Sequence, residues 1–185
     1  FEALEQLQLA DAEKARQAEA DNKKSARALE RLYFYKGRFG LAYDEINSRF
    51  GFVDKNGHTT IAFKYNRLWP FDEQGFARGV VKGFSTRDSY FLIDTLGNEY
   101  RLATDIDQLD SNTTALDLRN RELSALPDAV CRHKQLKVLL LSNNQLSSLP
   151  DCIAALTNLH ILYLDNNRLV NLPTPFGQLD ALQTL

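Results

Sequence analysis

Residues 136–150 read LKVLLLSNNQLSSLP, and residues 159–173 read LHILYLDNNRLVNLP. Leu136, Leu159 and Leu182 open successive copies of one pattern 23 residues long, and the same step backwards lands on Thr113. Inside the copies run Leu116-x-Leu118, Leu139-x-Leu141 and Leu162-x-Leu164. Leu123-x-x-Leu126-Pro127, Leu146-x-x-Leu149-Pro150 and Leu169-x-x-Leu172-Pro173 follow in register. A unit this short cannot bury its own apolar face, so consecutive units must stack into a solenoid with an extended concave surface.

Each Leu-x-Leu alternation sends two leucines inward from a short strand and turns the residues between them outward. Asn144 and Asn167 come next, where a side-chain amide can satisfy the backbone of neighbouring coils. The Leu-Pro step carries the chain across the far side, and Val130, Ile153, Phe176, Leu156 and Leu179 complete the core. The outward strand positions form three columns: Ala115, Val138 and Ile161; Asp117, Leu140 and Tyr163; Arg119, Ser142 and Asp165. Val138, Leu140, Ile161 and Tyr163 make an apolar centre, and Asp117, Arg119 and Asp165 a charged border. An aliphatic and aromatic anchor inside a polar rim is the anatomy of a protein-binding surface. The alternative is that another part of the parent chain covers this face.

The first copy departs from the pattern. Thr113 replaces the leading leucine, Arg121 stands in the Asn position and His133 in a core position. Either this copy caps the stack against the preceding segment, or Arg121 and His133 form a polar site. The two cysteines lie out of phase in adjacent copies: Cys131 aligns with Ala154, and Cys152 with Ala129. They are expected to be packed free thiols in a reducing compartment, which places the chain in the cytoplasm.

Upstream of the leucine copies lie two further segments. Residues 1–32, rich in Ala, Glu, Gln, Lys and Arg without Gly or Pro, are expected to form one long helix. Its apolar seam repeats every eleven residues (Leu4/Leu7, Ala15/Ala18, Ala26/Leu29), which suits a straight spacer with weak self-association. Residues 33–103 are aromatic, alternating and punctuated by glycine, as an antiparallel meander should be. Phe50-Gly-Phe-Val-Asp54-Lys-Asn-Gly57 is echoed 40 residues later by Tyr90-Phe-Leu-Ile-Asp94-Thr-Leu-Gly97, and Asp and Gly supply each turn. Trp69-Pro70-Phe71 is expected to lay its rings over the meander, with ligand stacking as the alternative.

The copies over 113–185 resemble the leucine-rich repeat family, in the short Leu-Pro type of bacterial and cytosolic proteins. That resemblance implies a curved solenoid with parallel strands inside and binding on the strand face. The middle segment resembles WG repeats through Phe50-Gly51 and its sequel, Ala62-Phe-Lys-Tyr65 and Phe71-Asp-Glu-Gln-Gly-Phe-Ala77, although Phe50 stands where the eponymous Trp would be. The order of segments looks like the C-terminal portion of a large multidomain bacterial protein. Since Leu182-Gln-Thr-Leu185 begins another copy, the chain is expected to be a fragment of it.

These readings give an α+β fold with three parts: the 1–32 helix, the 33–103 β domain and the 104–185 solenoid. Net charge is −2, so no bulk attraction to nucleic acid or an anionic membrane is expected. No apolar run reaches the ~20 residues that span a bilayer. His58, His133 and His160 are scattered and lack metal-motif spacing with the cysteines. Neither a nucleophile motif nor a phosphate loop is present. The expectation is therefore a non-enzyme with no catalytic residues, metal or cofactor. Its partner would be a protein or another domain of the parent, met on the concave columns.

Overall fold

A computed structural model describes residues 34–83 and 87–185. The described chain forms two compact units, one ending at Asp72 and the other running from Glu73 to Leu185. The α+β class does not hold: among the described residues the only helices are 3-10 turns of three or five residues, and the fold is β-rich. The leucine copies dictate this. Only about nine residues separate each proline from the next inward leucine, too few for an α-helix of ordinary length. The helix expected over residues 1–32 lies outside the described residues.

The first unit is an antiparallel meander of β1 (Phe34–Tyr35), β2 (Phe39–Asp44), β3 (Arg49–Val53) and β4 (Thr59–Tyr65), with β5 (Arg67–Leu68) after it. Its core is aromatic. Phe71 stacks on Tyr35 at 5.2 Å and meets Phe39 and Phe52 at 4.8 and 4.9 Å. Trp69 does not join it and stays about half exposed, so only Phe71 of the Trp-Pro-Phe stretch packs as expected. The β3–β4 pairing is irregular between Phe50 and Val53, and Gly51 sits within that stretch, close against β4. A Cβ there would lie 2.7 Å from the Ile61 carbonyl oxygen and 2.9 Å from the Phe63 ring. Gly51→Ala should cost about 2 kcal/mol, since a backbone carbonyl cannot step aside. Denaturant unfolding followed by the fluorescence of Trp69, the sole tryptophan, will show it; an unchanged midpoint would refute the close-approach argument.

The turns of the 40-residue echo are built alike. Gly57 and Gly97 take φ of 85° and 86°, and their N–H groups donate to the Asp54 and Asp94 carbonyls. In each turn the Asp Oδ1 accepts two further backbone N–H groups, Asn56 and His58 in the first, Leu96 and Asn98 in the second. Asp and Gly recur because one carboxylate and one left-handed residue close the loop.

The second unit holds β6 (Phe76–Val81), β7 (Ser89–Asp94), β8 (Glu99–Ala103), β9 (Ala115–Asp117), β10 (Val138–Leu140) and β11 (Ile161–Tyr163). They follow one another as neighbours in one sheet. β6, β7 and β8 are antiparallel; β8 then pairs parallel with β9, and β9, β10 and β11 are parallel in turn. Ala115, Val138 and Ile161 are in register, the 23-residue step made visible. Leu116, Leu139 and Leu162 are fully buried with Leu136, Leu146, Ile153, Leu156 and Leu159 in one core. The β segment thus meets the first leucine copy directly. Arg121, in the Asn position of that copy, donates from Nη2 to the Thr104 carbonyl at 2.8 Å.

Asn144 ties adjacent coils. Its Oδ1 accepts the N–H groups of Arg121 and Leu123 at 3.0 and 3.1 Å, and its Nδ2 donates to the Leu118 and Leu141 carbonyls at 2.9 and 2.8 Å. Asn167 repeats this with Leu146, Leu141 and Leu164. The residues just before them, Asn143 and Asn166, take left-handed φ of 58° and 54°, as Asn120 does at 59°.

The far side of each coil is a 3-10 turn entered through proline: Asp128–Arg132 after Pro127, Asp151–Ala155 after Pro150, and Thr174–Gln178 after Pro173. Cys131 and Cys152 are not free thiols. They form a disulfide between the first two of these turns, with Cα atoms 5.7 Å apart. The phase difference that argued against pairing explains it. An offset of two residues along a 3-10 turn is about 4 Å and adjacent coils lie about 4.8 Å apart, which puts the Cα atoms roughly 6 Å from each other. That is within bridging range.

Candidate protein-interaction face

Strand parity decides which side chains share the inner face. Ala115 and Asp117 point to one side of β9, and Leu116 points to the leucine core. Carried across the sheet by register, the same side receives Leu102 and Tyr100 from β8, Leu92 from β7, and Phe76 and Arg78 from β6. The sheet curls, so β6 and β7 come back over the concave face of the leucine strands. Phe76, Leu92, Ala115, Val138 and Leu140 form one buried cluster, with Tyr100, Leu102, Ile161 and Tyr163 at its margin. The Phe76 ring meets Tyr163 edge-on at 5.9 Å.

Above this apolar cluster runs a polar chain. Asp117 is buried, and its Oδ2 accepts Arg78 Nη2 at 2.6 Å and Arg119 Nη2 at 2.7 Å, while Oδ1 accepts Arg119 Nε at 2.9 Å. Burial by itself would raise the carboxyl's pKa. The hydrogen bonds and charge of Arg119, with those of Arg78, outweigh it and hold Asp117 below the usual carboxylate range. Arg119 Nη1 donates to Gln74 Oε1 at 2.6 Å, and Gln74 Nε2 donates to Ser142 Oγ at 2.8 Å and Asp165 Oδ1 at 3.1 Å. The Ser142 hydroxyl donates to Asp165 Oδ1 at 2.6 Å. Nearby, Tyr100 donates to Asp94 Oδ2 at 3.0 Å; burial first, then this bond, pushes its phenol up to about 12.

The eight concave positions named from the sequence therefore share one face but differ in access. Asp117, Val138, Leu140 and Ser142 are buried, and only a tenth of the Arg119 side chain is exposed. Ile161 and Tyr163 are half-buried, and Asp165 is exposed. What covers the buried five is the chain's own Gln74 turn together with β6 to β8. Gln74, Phe76 and Arg78 are the residues sequence reasoning missed. Phe76 and Arg78 alternate on one face of β6, Gln74 lies in the turn before it, and the apolar-then-charged order of Phe76 and Arg78 complements the Tyr163-to-Asp117 side of the columns. Among the described residues no group of three His, Cys, Asp or Glu side chains converges as a metal site. No helix among them is long and apolar enough to cross a membrane.

A face of parallel strands backed by a leucine core and an asparagine ladder defines a leucine-rich repeat region. Comparison with known families agrees: residues 111–169 match the leucine rich repeat family, and residues 50–78 match the WG containing repeat. The chain thus carries both repeat types. Among solved structures it is similar to a leucine-rich-repeat protein of Leptospira interrogans, 40% identical, with a TM-score of 0.40. That similarity covers 40% of this chain and 19% of the other, so it spans under a fifth of the related protein. Among curated proteins none matches. The leucine-rich repeat match suggests a role in protein–protein interaction.

Proposed function

We propose that residues 73–185 serve as a non-catalytic protein-recognition region of a larger multidomain protein, and that the partner docks on the concave strand face where β6 leaves it open. The partner is a protein or another domain of the parent. Ile161, Tyr163 and Asp165 would meet it. Asp117, Arg119, Val138, Leu140 and Ser142 would shape the site from beneath. The observation that carries this reading is the state of Tyr163 and Asp165. The ring is braced by Phe76, and the carboxylate is held by Ser142 and Gln74. A pre-set aromatic beside a pre-set charge loses little entropy on binding, which is how interface hot spots are built.

A Tyr163→Ala, Asp165→Arg chain should lose a specific interactor captured by the wild type by at least about tenfold while melting within a few degrees of it. Capture that survives both changes would remove this face from consideration. Leu140→Asp is unsuitable as a probe, because Leu140 is fully buried and its change would unfold the unit.

The closure of the face by β6 favours a second reading, in which this region controls oligomerisation or restrains an effector domain elsewhere in the parent. Light scattering addresses the oligomer form: a monomer across the micromolar range would exclude it. The cytoplasmic location expected from free thiols loses its premise with the Cys131–Cys152 bond.

A further inference from the structure

The geometry points to Cys131 and Cys152 as an oxidative cross-linking site that pins the first leucine coil to the second, and so to an oxidising compartment as the place where this chain works. Three features support it. The bond joins stacked turns whose backbones are fixed independently of it, each entered through a proline and closed by its own 3-10 hydrogen bonds, Val130 N–H to Pro127 and Ile153 N–H to Pro150. The loop it closes, 21 residues in separation, contains all of β10, and with it Val138, Leu140 and Ser142 of the concave face.

The third feature is unequal access. Cys131 is buried, whereas Cys152 is half-buried and lies 3.8 Å from Asp128 Oδ1. An incoming thiolate must therefore attack the Cys152 sulfur past a carboxylate and expel a thiolate into an apolar interior. Charge repulsion and desolvation both slow that step. The site is built to keep its bond, as structural disulfides do, and such bonds persist where the surroundings are oxidising.

Formation balances with a disulfide oxidant such as oxidised glutathione. The Cys152 thiolate attacks one glutathione sulfur and releases the first reduced glutathione; Cys131 then attacks the mixed disulfide at Cys152 and releases the second. Two protons and two electrons pass from the protein to the oxidant.

The test uses the full 185-residue chain, equilibrated natively with equal reduced and oxidised glutathione, then denatured and alkylated with N-ethylmaleimide. Intact mass should show no added label and no glutathione adduct, against two labels on the dithiothreitol-treated chain. The oxidised chain should melt about 6–12 °C above the reduced one, from the entropy the loop removes from the unfolded state. The Cys131→Ala, Cys152→Ala double variant should melt at one temperature with or without reductant. Two labels after oxidation, a retained adduct, a cross-linked dimer or equal melting of the oxidised and reduced chains would each overturn the proposal. The labelling count stands even should the double variant fail to fold.

Discussion

Replacing Asn144 with leucine will destabilise the second unit by about 3 kcal/mol and lower its calorimetric melting temperature by about 6–12 °C. The change adds apolar volume where none is missing. More important, it strips partners from the N–H groups of Arg121 and Leu123 and from the Leu118 carbonyl at once, while the Leu141 carbonyl keeps only Asn167 Nδ2. Buried backbone groups left unpaired cost far more than a typical hydrogen bond contributes. Asn167 supplies the internal comparison. It makes the same kind of bonds but is only part-buried, so water can stand in for the lost amide. Asn167→Leu should therefore cost about half as much. Equal losses at the two positions would mean that burial is not what gives the ladder its strength.

The second large effect is expected at Asp117. Asp117→Asn removes the charge that holds Arg78 and Arg119, and should cost about 3 kcal/mol near neutral pH. Arg78 is half in water and recovers part of its solvation, whereas Arg119 is nearly enclosed and bears most of the loss. The pH dependence separates this from a packing defect. The folded-state pKa of Asp117 is depressed, so its contribution is complete above the unfolded value, about 4, and disappears as pH falls through the lower folded value. The gap in stability between wild type and variant, followed by urea titration from pH 7 downward, should narrow below about pH 4. A gap constant to pH 3 or lower would show that the ion network contributes nothing through its charge.

Much of this architecture was legible in the leucine spacing, because a constant interval of inward side chains admits few ways of stacking. The Leu116, Leu139 and Leu162 row, the Asn144 and Asn167 ladder and the shared face of Val138, Leu140 and Tyr163 all follow from it. The α+β class failed on the far side of the coils, where a proline and a short span permit one 3-10 turn and nothing longer. The cysteines were misread because aligned repeats suggest partners at equal phase, while a bridge between stacked turns needs the diagonal.

The covering of the concave face was open in the sequence for a different reason. Alternation tells that Phe76 and Arg78 share a side of β6, but only the curl of the whole sheet brings them, and Gln74 in the turn before them, onto Tyr163, Asp117 and Ser142, some 40 to 90 residues away. Such curvature accumulates from strand twist and has no local signature.

The parallel pairing of β8 with β9 has one more consequence. An unshielded strand rim is an invitation to a neighbouring molecule, and stacked-coil proteins must blunt the rim of their first coil. Here the hairpin preceding that coil does so with its own backbone. The boundary between the two repeat types is therefore a poor place to cut: severing it would bare two complementary rims in one stroke, and the leucine coils freed this way would be prone to stick to one another.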